Sequence, residues 1–365
     1  MNYAGAEKDP GCIIMHGREC LRYCDRMFSV GIIGASGYAG AELLRLVAAH
    51  PQLKLAWATG DTQAGSPIAE LYPSLIGAYG EECFRAYDPN NVDGLDVVML
   101  ALPHGKSQEL VPDLRGRART VVDVAADFRL KDASLYPTWY GEAHACPELL
   151  AEAVYGLPEL HRDALRSATL IAVPGCYPTA ATLALAPLVR AGVIENTGLI
   201  VDAGCGVSGA GRTLKHGNLY GTVAETYEAY GLLTHRHTPE MEQNIGGQIL
   251  FTPHLLPMTR GILATCYARP TATTTSTAKV LHVLREFYAN EPFVKVIEAS
   301  PTTKATAGTN LCLVTARFDE RTNTVVVISA IDNLVKGTAG GAVQSLNLAL
   351  GIEETMGLPV TAVYP

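Results

Sequence analysis

The sequence has no long hydrophobic run and no basic cluster. Its longest apolar stretches, such as Val97–Leu102 and Ala180–Val189, fall well short of the roughly 20 residues that a helix needs to span a bilayer. Lysine and arginine are scattered along a chain of formal net charge -8, which therefore lacks the basic surface of a nucleic-acid-binding protein. We expect a soluble protein that binds neither membranes nor nucleic acids.

The sequence also lacks a regular cysteine pattern. Nine cysteines stand at irregular spacing, without a secretory signal. This is typical of reduced thiols in the cytoplasm, or in a plastid or mitochondrion if the source is eukaryotic. Cys12, Cys20 and Cys24 lie near His16, but no Cys-x-x-Cys pair occurs there, so we predict no metal site.

Length and periodicity predict two domains and an extension. At 365 residues and 48% hydrophobic content, the chain exceeds the usual size of one domain. Residues 1–26 show no apolar periodicity and are predicted to be a disordered N-terminal extension. We expect residues 27–175, joined by the returning segment 335–365, to form the first domain, and residues 176–334 to form the second.

The first domain is predicted to open with a strand, a glycine turn and a helix. The apolar run Phe28–Gly34 leads into further glycines at Gly37 and Gly40, and a helical pattern begins at Ala41. Such glycines allow a tight turn and close backbone approach to a pyrophosphate at the helix N-terminus. Because the spacing is G-x-x-G-x-x-G, a turn that only packs a helix on a sheet is the alternative.

Apolar runs that alternate with polar loops predict a parallel sheet in this domain. Further strands are expected at 53–59, 96–102 and 121–125. His104 follows the second of these, and the segment Ala126–Arg129 follows the third. Both lie at the carboxyl edge, where open parallel sheets bind ligands.

The composition past residue 176 favours antiparallel pairing. Strands are predicted at 199–203, 248–252, 261–269, 311–318 and 324–331, helices at 180–188, 278–288 and 342–350, and a glycine-rich turn at 336–341. The last helix is expected to return to the first domain. The predicted fold class is α/β, with a Rossmann-type domain followed by an α+β domain that has a mixed, largely antiparallel sheet.

Cys176 is the strongest candidate for a nucleophile. It lies in the turn Val173–Thr179 before an apolar helical run, and Pro178 suits the first helical position. Free N–H groups and the helix dipole at that point favour the thiolate, which is the nucleophilic form. The alternative is a structural cysteine, because cysteine is among the most buried residue types.

Three other stretches carry functional groups. Gly204–Arg212 offers backbone N–H groups, a hydroxyl and a guanidinium to an anion, with a flexible turn as the alternative. His235–Glu240 places two imidazoles, a guanidinium and a carboxylate together, which suits proton transfer; a zinc pair is the competitor. Asp332–Gly337 presents an amide and an ammonium where a strand meets a helix.

Five motifs together resemble one enzyme family. They are Gly34-Ala-Ser-Gly-Tyr-Ala-Gly40, Leu102-Pro-His-Gly105, Val173-Pro-Gly-Cys-Tyr-Pro-Thr179, His235-Arg-His-Thr-Pro-Glu240 and Asp332-Asn-Leu-Val-Lys-Gly337. From about residue 27 onward, the chain resembles the N-acetyl-γ-glutamyl-phosphate reductases. The glycine turn and the Asp332-Asn333 segment are shared with aspartate-semialdehyde dehydrogenases. The resemblance implies an NADPH-dependent reduction in arginine biosynthesis, with Cys176 as nucleophile and His237 as acid/base, in a homodimer or homotetramer.

The same resemblance assigns the binding residues. It implies that NADP is bound by Gly34, Ser36, Gly37, Tyr38, Gly40, Thr59, Ser208, Gly209 and Asn333, and that the substrate is bound by His104, Arg212, Arg236 and Glu240. The first domain then binds NADP, and the second carries catalysis and oligomerisation. Asp61 departs from this pattern, because an acidic residue about 20 positions beyond the glycine turn usually pairs with an NAD ribose. The hydroxyls of Thr59 and Thr62 are the candidates for a 2′-phosphate.

Two alternatives stay open. One is a reductase of a related acyl phosphate, either aspartyl phosphate or a carrier-protein-linked glutamyl or aminoadipyl phosphate. The other is a non-catalytic nucleotide-binding protein with a buried Cys176, whose thiol would react no faster than free cysteine.

Overall fold

Two sheets organise residues 26–274 and 276–364, which the computed structural model describes. The first sheet contains β1 (Phe28–Ile33), β2 (Leu53–Ala58), β3 (Val97–Leu100), β4 (Thr120–Asp123), β5 (Val154–Tyr155) and β6 (Leu170–Ala172), in the order β2-β1-β3-β4-β6-β5. All its pairs are parallel. This is the predicted Rossmann-type sheet.

The second sheet is mixed. It contains β7 (Leu199–Gly206), β8 (Glu228–Ala229), β9 (Ile249–Leu256), β10 (Ile262–Ala268), β11 (Val294–Val296), β12 (Cys312–Asp319) and β13 (Thr324–Ile331), in the order β11-β12-β13-β10-β7-β9-β8. The pairs β7/β9 and β11/β12 are parallel, and the others are antiparallel. The predicted fold class is confirmed.

Helices cover both sheets. The α-helices span Tyr38–Ala49, Ile68–Leu71, Ile76–Tyr79, Ser107–Leu114, Tyr136–Tyr140, Pro158–Leu165, Cys176–Arg190, Tyr220–Val223, His237–Ile245, Thr277–Phe287 and Gly340–Leu350. Within the described ranges, none is long and apolar enough to cross a membrane.

The burial patterns explain why these strands form. Every residue of β3 is buried, as expected for a central parallel strand with helices on both faces. In β10, buried residues alternate with partly exposed ones, because helices cover only one face of the second sheet. The helix Cys176–Arg190 packs on that covered face, so its first residue lies against the sheet. The helix Gly340–Leu350 is buried in the same apolar cluster as Phe28 of β1.

Several predicted boundaries are wrong. The helix expected at 180–188 begins at Cys176, so Pro178 occupies its third position rather than its first. The strand expected at 199–203 continues to Gly206. β5 and β6 were not predicted, because runs of two and three residues carry no periodic signal. Residues 1–25 of the predicted extension lie outside the described residues, and its last residue, Arg26, pairs with Asp96 at 2.6 Å.

The segment expected as a glycine-rich turn after β13 is a π-helix, Val335–Ala339. The Lys336 ammonium in this segment does not face a ligand site. Lys336 Nζ lies 2.6 Å from Glu159 Oε1 and 2.7 Å from Gln344 Oε1, and the lysine is buried. The pair therefore ties the segment after β13 to the helix Pro158–Leu165.

Lys336→Met should lower the free energy of unfolding by about 3–5 kcal/mol, because it leaves the Glu159 carboxylate buried without its counter-charge. Chemical denaturation measures this effect. Lys295→Met is the control, because Lys295 is exposed on β11 and its loss should cost under about 0.5 kcal/mol. Equal, small effects would show that the ion pair does not stabilise the fold.

Candidate active site

The Cys176 turn is built by a strand end and a helix start. β6 ends at Ala172, and Gly175 is the N-cap of the helix that Cys176 begins. Thr179 closes the turn, since its N–H and its hydroxyl both donate to Gly175 O at 2.9 Å. Cys176 is half-buried and its thiol is free. A Cβ on Gly337 would lie 2.9 Å from the Cys176 Cβ, so only glycine at 337 allows this approach.

The surroundings of Cys176 favour its thiolate. The Cys205 thiol lowers the pKa of Cys176 most; burial opposes this, and the Tyr177 N–H and the Arg129 charge lower the pKa further. The net direction is downward. Groups from distant parts of the chain therefore favour the Cys176 thiolate, in addition to the predicted local effect of the helix start.

His237 lies directly against this turn. A Cβ on Gly175 would lie 2.5 Å from His237 Nε2, so the ring contacts the backbone just before the nucleophile. Burial lowers the pKa of His237 well below its ordinary value, and the charges of His235, Arg129 and Arg236 act in the same direction. The imidazole is therefore neutral at pH 7.

His235 supports the loop. Its Nδ1 accepts the His237 backbone N–H at 3.2 Å, and its ring packs edge-on against Tyr177 and Phe251. Burial, followed by the Arg236 charge, lowers the pKa of His235 to about 4. Among the described residues, no cluster of three His, Cys, Asp or Glu side chains is placed to hold a metal ion.

Arg129 was not assigned a role from the sequence. Its guanidinium lies 3.5 Å from His237 Nε2 and 3.4 Å from Glu240 Oε2, and it donates to Val173 O at 2.7 Å. It thus holds the Cys176 turn and the histidine loop together. The sequence signal for a role of Arg129 is its position after β4, at the carboxyl edge of the parallel sheet, where ligands bind.

Glu240 was expected to bind substrate, but its carboxylate is fully buried. Oε1 accepts from the Gly175 N–H and from the Tyr155 hydroxyl, both at 2.8 Å. These contacts fix the backbone that carries Cys176. Glu240 is therefore a positioning residue in this arrangement, while Arg236, at the exposed start of the same helix, is open to an anion.

Glu240→Gln should lower turnover and shift the pH profile of Cys176 alkylation to lower pH. The Glu240 charge raises the pKa of Cys176, so its removal makes the thiolate available at lower pH. Iodoacetamide rates against pH measure the shift. Glu242→Gln is the matched control, because that carboxylate accepts from Ile249 instead. An unmoved alkylation profile would leave Glu240 with a structural role only.

The glycine turn has the geometry of a phosphate cradle. Gly34 has φ +82°, and a Cβ there would lie 2.5 Å from Ala101 O. A Cβ on Gly40 would lie 2.4 Å from Ala35 Cα, so this glycine brings helix and strand together. At Gly37 the nearest atom would be 3.8 Å away. The backbone at Gly37 is therefore open to a ligand, as a pyrophosphate site requires.

The polar residues around this turn have distinct positions. The Thr59 hydroxyl accepts the Gly34 N–H at 3.1 Å and is buried, so it shapes the turn. Ser36 Oγ donates to Gly60 O at 3.2 Å. Tyr38 is partly exposed at the helix start. Asp61 is exposed, with φ +48°.

A cleft of about 290 Å³ connects the turn with the second domain. Tyr38, Glu42, Tyr72, Ser208 and Arg260 are among its lining residues. The Asn333 amide holds Ser208, since Nδ2 donates to Ser208 Oγ at 3.0 Å and Oδ1 accepts the Gly261 N–H at 2.8 Å.

Two members of the predicted anion-holding segment lie close to this cleft. A Cβ on Gly209 would lie 3.9 Å from Asn333 Nδ2. The Arg212 charge acts on Tyr72, whose hydroxyl donates to Ser36 O at 2.6 Å. The Arg212 charge therefore reaches the glycine-turn side of this cleft, and its predicted role toward the substrate stays a prediction.

His104 belongs to a cluster on Asp127. Its Nδ1 lies 2.6 Å from Asp127 Oδ1, and the Gly105 and Gln108 N–H groups donate to the same carboxylate at 2.9 and 3.0 Å. Burial opposes ionisation there, but these hydrogen bonds lower the pKa of Asp127. His104 Nε2 is buried and hydrogen-bonds to no other described residue, and the Glu142 carboxylate lies 3.9 Å from it.

Comparison with known proteins identifies both domains. Residues 29–168 match the family model "Semialdehyde dehydrogenase, NAD binding domain", and residues 176–333 match "Semialdehyde dehydrogenase, dimerisation domain". Aspartate semialdehyde dehydrogenase II from Vibrio cholerae, complexed with ASA, superposes with a TM-score of 0.67 at 16% identity, over 90% of this chain and 99% of that one. The Candida albicans enzyme with NADP gives a TM-score of 0.61 at 13% identity, over 88% and 98%. These structures share the fold.

Curated relatives are much closer in sequence. An N-acetyl-gamma-glutamyl-phosphate reductase from Desulforamulus reducens is 44% identical over 93% of this chain and 100% of its own length. The reductase of the same name from Alkalilimnicola ehrlichii is 48% identical with the same coverage. With such identity along nearly its whole length, the chain belongs to the N-acetyl-γ-glutamyl-phosphate reductase family.

Proposed function

We propose that this protein reduces N-acetyl-γ-glutamyl phosphate to N-acetyl-L-glutamate 5-semialdehyde and phosphate with NADPH, in arginine biosynthesis. The observation that carries the proposal is the half-buried Cys176 thiol with its lowered pKa, held at a helix start beside His237. The relatives that share 44–48% identity bear the name of this activity.

The glycine turn fits the dinucleotide. The open backbone at Gly37 and the start of the helix Tyr38–Ala49 suit the pyrophosphate. Ser208, which lines the cleft, and Asn333, which donates a hydrogen bond to it, are our candidates to orient the nicotinamide side. When bound, NADPH supplies hydride to the acyl carbon.

The first step uses the chain's own nucleophile. The Cys176 thiolate attacks the acyl carbon, a C–S bond forms, and the C–O bond to phosphate breaks with its electron pair leaving on phosphate. Backbone N–H groups at the helix start and the exposed Arg236 guanidinium stabilise the negative oxygens. The result is a thioester on Cys176.

His237 acts on the oxygen atoms of the reacting group. As a neutral imidazole, it donates an N–H hydrogen bond to the oxyanion that forms when hydride reaches the thioester carbon. The anionic substrate raises the pKa of an adjacent imidazole, which makes proton donation available in the complex. When the carbonyl re-forms, the C–S bond breaks and Cys176 leaves as thiolate.

The reverse reaction tests the substrate. N-acetylglutamate semialdehyde, phosphate and NADP⁺ should yield reduced cofactor, whereas aspartate semialdehyde should not. Omission of phosphate should abolish turnover, because the thioester on Cys176 then has no phosphate to accept its acyl group. Activity with aspartate semialdehyde alone would assign the protein to the related acyl phosphate. Parallel assays with NAD⁺ test whether Asp61 shifts the cofactor preference from NADP⁺ toward NAD⁺.

We also propose a homo-oligomer formed through the second sheet. The uncovered face of that sheet carries a depression of about 790 Å³, whose lining includes Trp139, Leu233, Leu250 and Tyr267. Leu233 and Leu250 are 72% and 48% exposed, and apolar exposure of this kind favours association. Sedimentation should give two or four times the mass of one chain. A monomer at micromolar concentration would contradict this proposal.

A further inference from the structure

Arg260 lines the cleft between the two domains, and the reaction described above gives it no role. It lies in the turn between β9 and β10. The end of β7 and Asn333 hold the backbone of this turn, because the Gly206 N–H donates to Gly261 O at 3.0 Å and the Gly261 N–H donates to Asn333 Oδ1 at 2.8 Å. A Cβ on Gly206 would lie 2.8 Å from Arg260 N. The arginine is therefore carried by a closely packed turn of the second domain.

The Arg260 guanidinium reaches across the cleft to the first domain. Its Nη2 donates to Glu42 Oε2 at 2.8 Å, although the two residues are 218 positions apart in the chain. Glu42 lies on the helix that follows the glycine turn, and its side chain is only 3% exposed. Burial raises the pKa of Glu42, but hydrogen bonds from Arg260 and then from Arg45 lower it, and the net direction is downward. The contact is therefore an ion pair between the two domains.

The same guanidinium lies beside the segment that contacts Cys176. Arg260 Nη1 is 3.6 Å from Asp332 Oδ2. Asp332 Oδ1 accepts two backbone N–H groups at the start of the π-helix that follows β13, at 2.8 and 3.1 Å. That π-helix carries Gly337, at which a Cβ would lie 2.9 Å from the Cys176 Cβ. One guanidinium thus joins the helix of the phosphate cradle to the segment that packs on the nucleophile.

We propose that Arg260 is a positioning residue that sets the helix after the glycine turn against the second domain, so that the nicotinamide lies at the distance from Cys176 that hydride transfer requires. The proposal rests on the proposed function, in which hydride passes from the cofactor to the acyl carbon on Cys176. Reacting atoms must lie about 3–3.5 Å apart, and a displacement of about 1 Å costs roughly a hundredfold in rate. Arg260 acts through Glu42 and Asp332 and needs no contact with the reacting atoms.

Arg45 offers a matched control, because it pairs with the same carboxylate. Arg45 Nη2 lies 2.6 Å from Glu42 Oε1, but both residues belong to the helix Tyr38–Ala49. Its loss therefore removes a guanidinium from Glu42 without breaking a contact between the domains. In Arg260→Met, by contrast, Arg45 still compensates the buried Glu42 charge, so this variant should fold.

The first test needs no turnover. In the wild type, saturating NADP⁺ should slow the alkylation of Cys176 by iodoacetamide, because a nicotinamide positioned for hydride transfer covers the thiol. Arg260→Met should still bind NADP⁺, since its glycine turn is unchanged, but most of this protection should be lost. Arg45→Met should be protected like the wild type. Urea denaturation checks that both variants are folded.

Steady-state kinetics supply the second test. Arg260→Met should lower kcat by roughly a hundredfold, and the isotope effect with NADPH deuterated at the transferred position should rise as hydride transfer becomes limiting. Arg45→Met should stay within about threefold of the wild type. Glu42→Gln should reproduce the fall, and the double variant Arg260→Met/Glu42→Gln should be no slower than either single variant, because both changes break one contact.

Equal protection of Cys176 in the wild type and in Arg260→Met would overturn the proposal. Equal turnover of Arg260→Met and Arg45→Met, or additive losses in the double variant, would overturn it as well. A failure of the proposed function gives a different result. If another acyl phosphate were the substrate, the turnover assay with N-acetyl-γ-glutamyl phosphate would fail, but the difference in protection between the two arginine variants would persist.

Discussion

Cys176→Ser should abolish reduction of the acyl phosphate and leave NADP binding intact. A serine hydroxyl is not ionised at neutral pH, and an ester accepts hydride less readily than a thioester. The surroundings that lower the pKa of the thiol cannot bring an alcohol into this range. We expect less than about a hundredth of the wild-type rate, which corresponds to a loss of at least about 2.7 kcal/mol in transition-state stabilisation.

Steady-state assays and cofactor titration measure the two parts of this prediction. Cys266→Ser is the control, because Cys266 is buried in the core of the second domain on β10 and its substitution should affect stability more than turnover. A Cys176→Ser protein that kept more than about a hundredth of the activity would place the nucleophile elsewhere.

His237→Asn should lower turnover by roughly 10²–10⁴ with unchanged cofactor affinity, the range for loss of one proton-transfer group. His235→Asn should cost much less, because His235 supports the His237 backbone and the Tyr177 ring, whereas His237 is the imidazole that lies against Gly175. Turnover of both variants under saturating substrate is the measurement. Equal, small effects would move the acid/base role to His104, whose Nε2 hydrogen-bonds to no other described residue.

The alkylation rate of Cys176 separates two roles of His237. Because its pKa is lowered well below the ordinary value, His237 is uncharged at neutral pH and does not form an ion pair with the thiolate. His237→Asn should therefore leave the pH profile of alkylation in place, although turnover falls. A profile displaced upward would show that an imidazolium sustains the thiolate.

Local sequence determined much of this molecule. The glycine turn, the buried parallel strands and the placement of Cys176 at a helix start all follow from patterns within a few residues, since turn chemistry and burial periodicity are short-range properties. The strand Thr324–Ile331 lies where its periodicity predicts it. The residue motifs likewise indicate the family from the sequence alone.

Tertiary packing decided what the site residues do. Glu240 became a buried acceptor for Gly175, 65 residues away in the chain, and Arg129 reached His237 across 108 residues. Two further positions, one inside β7 and one after β13, are predicted as loop or site from their sequence neighbours alone. Cys205 is buried in β7, because the strand runs three residues farther than its apolar run, and Lys336 is a buried partner of Glu159. Charge and thiol chemistry depend on which groups meet after folding. The spacing of residues in the sequence identifies the candidate site residues, whereas long-range packing determines their protonation, their burial and their hydrogen-bond partners.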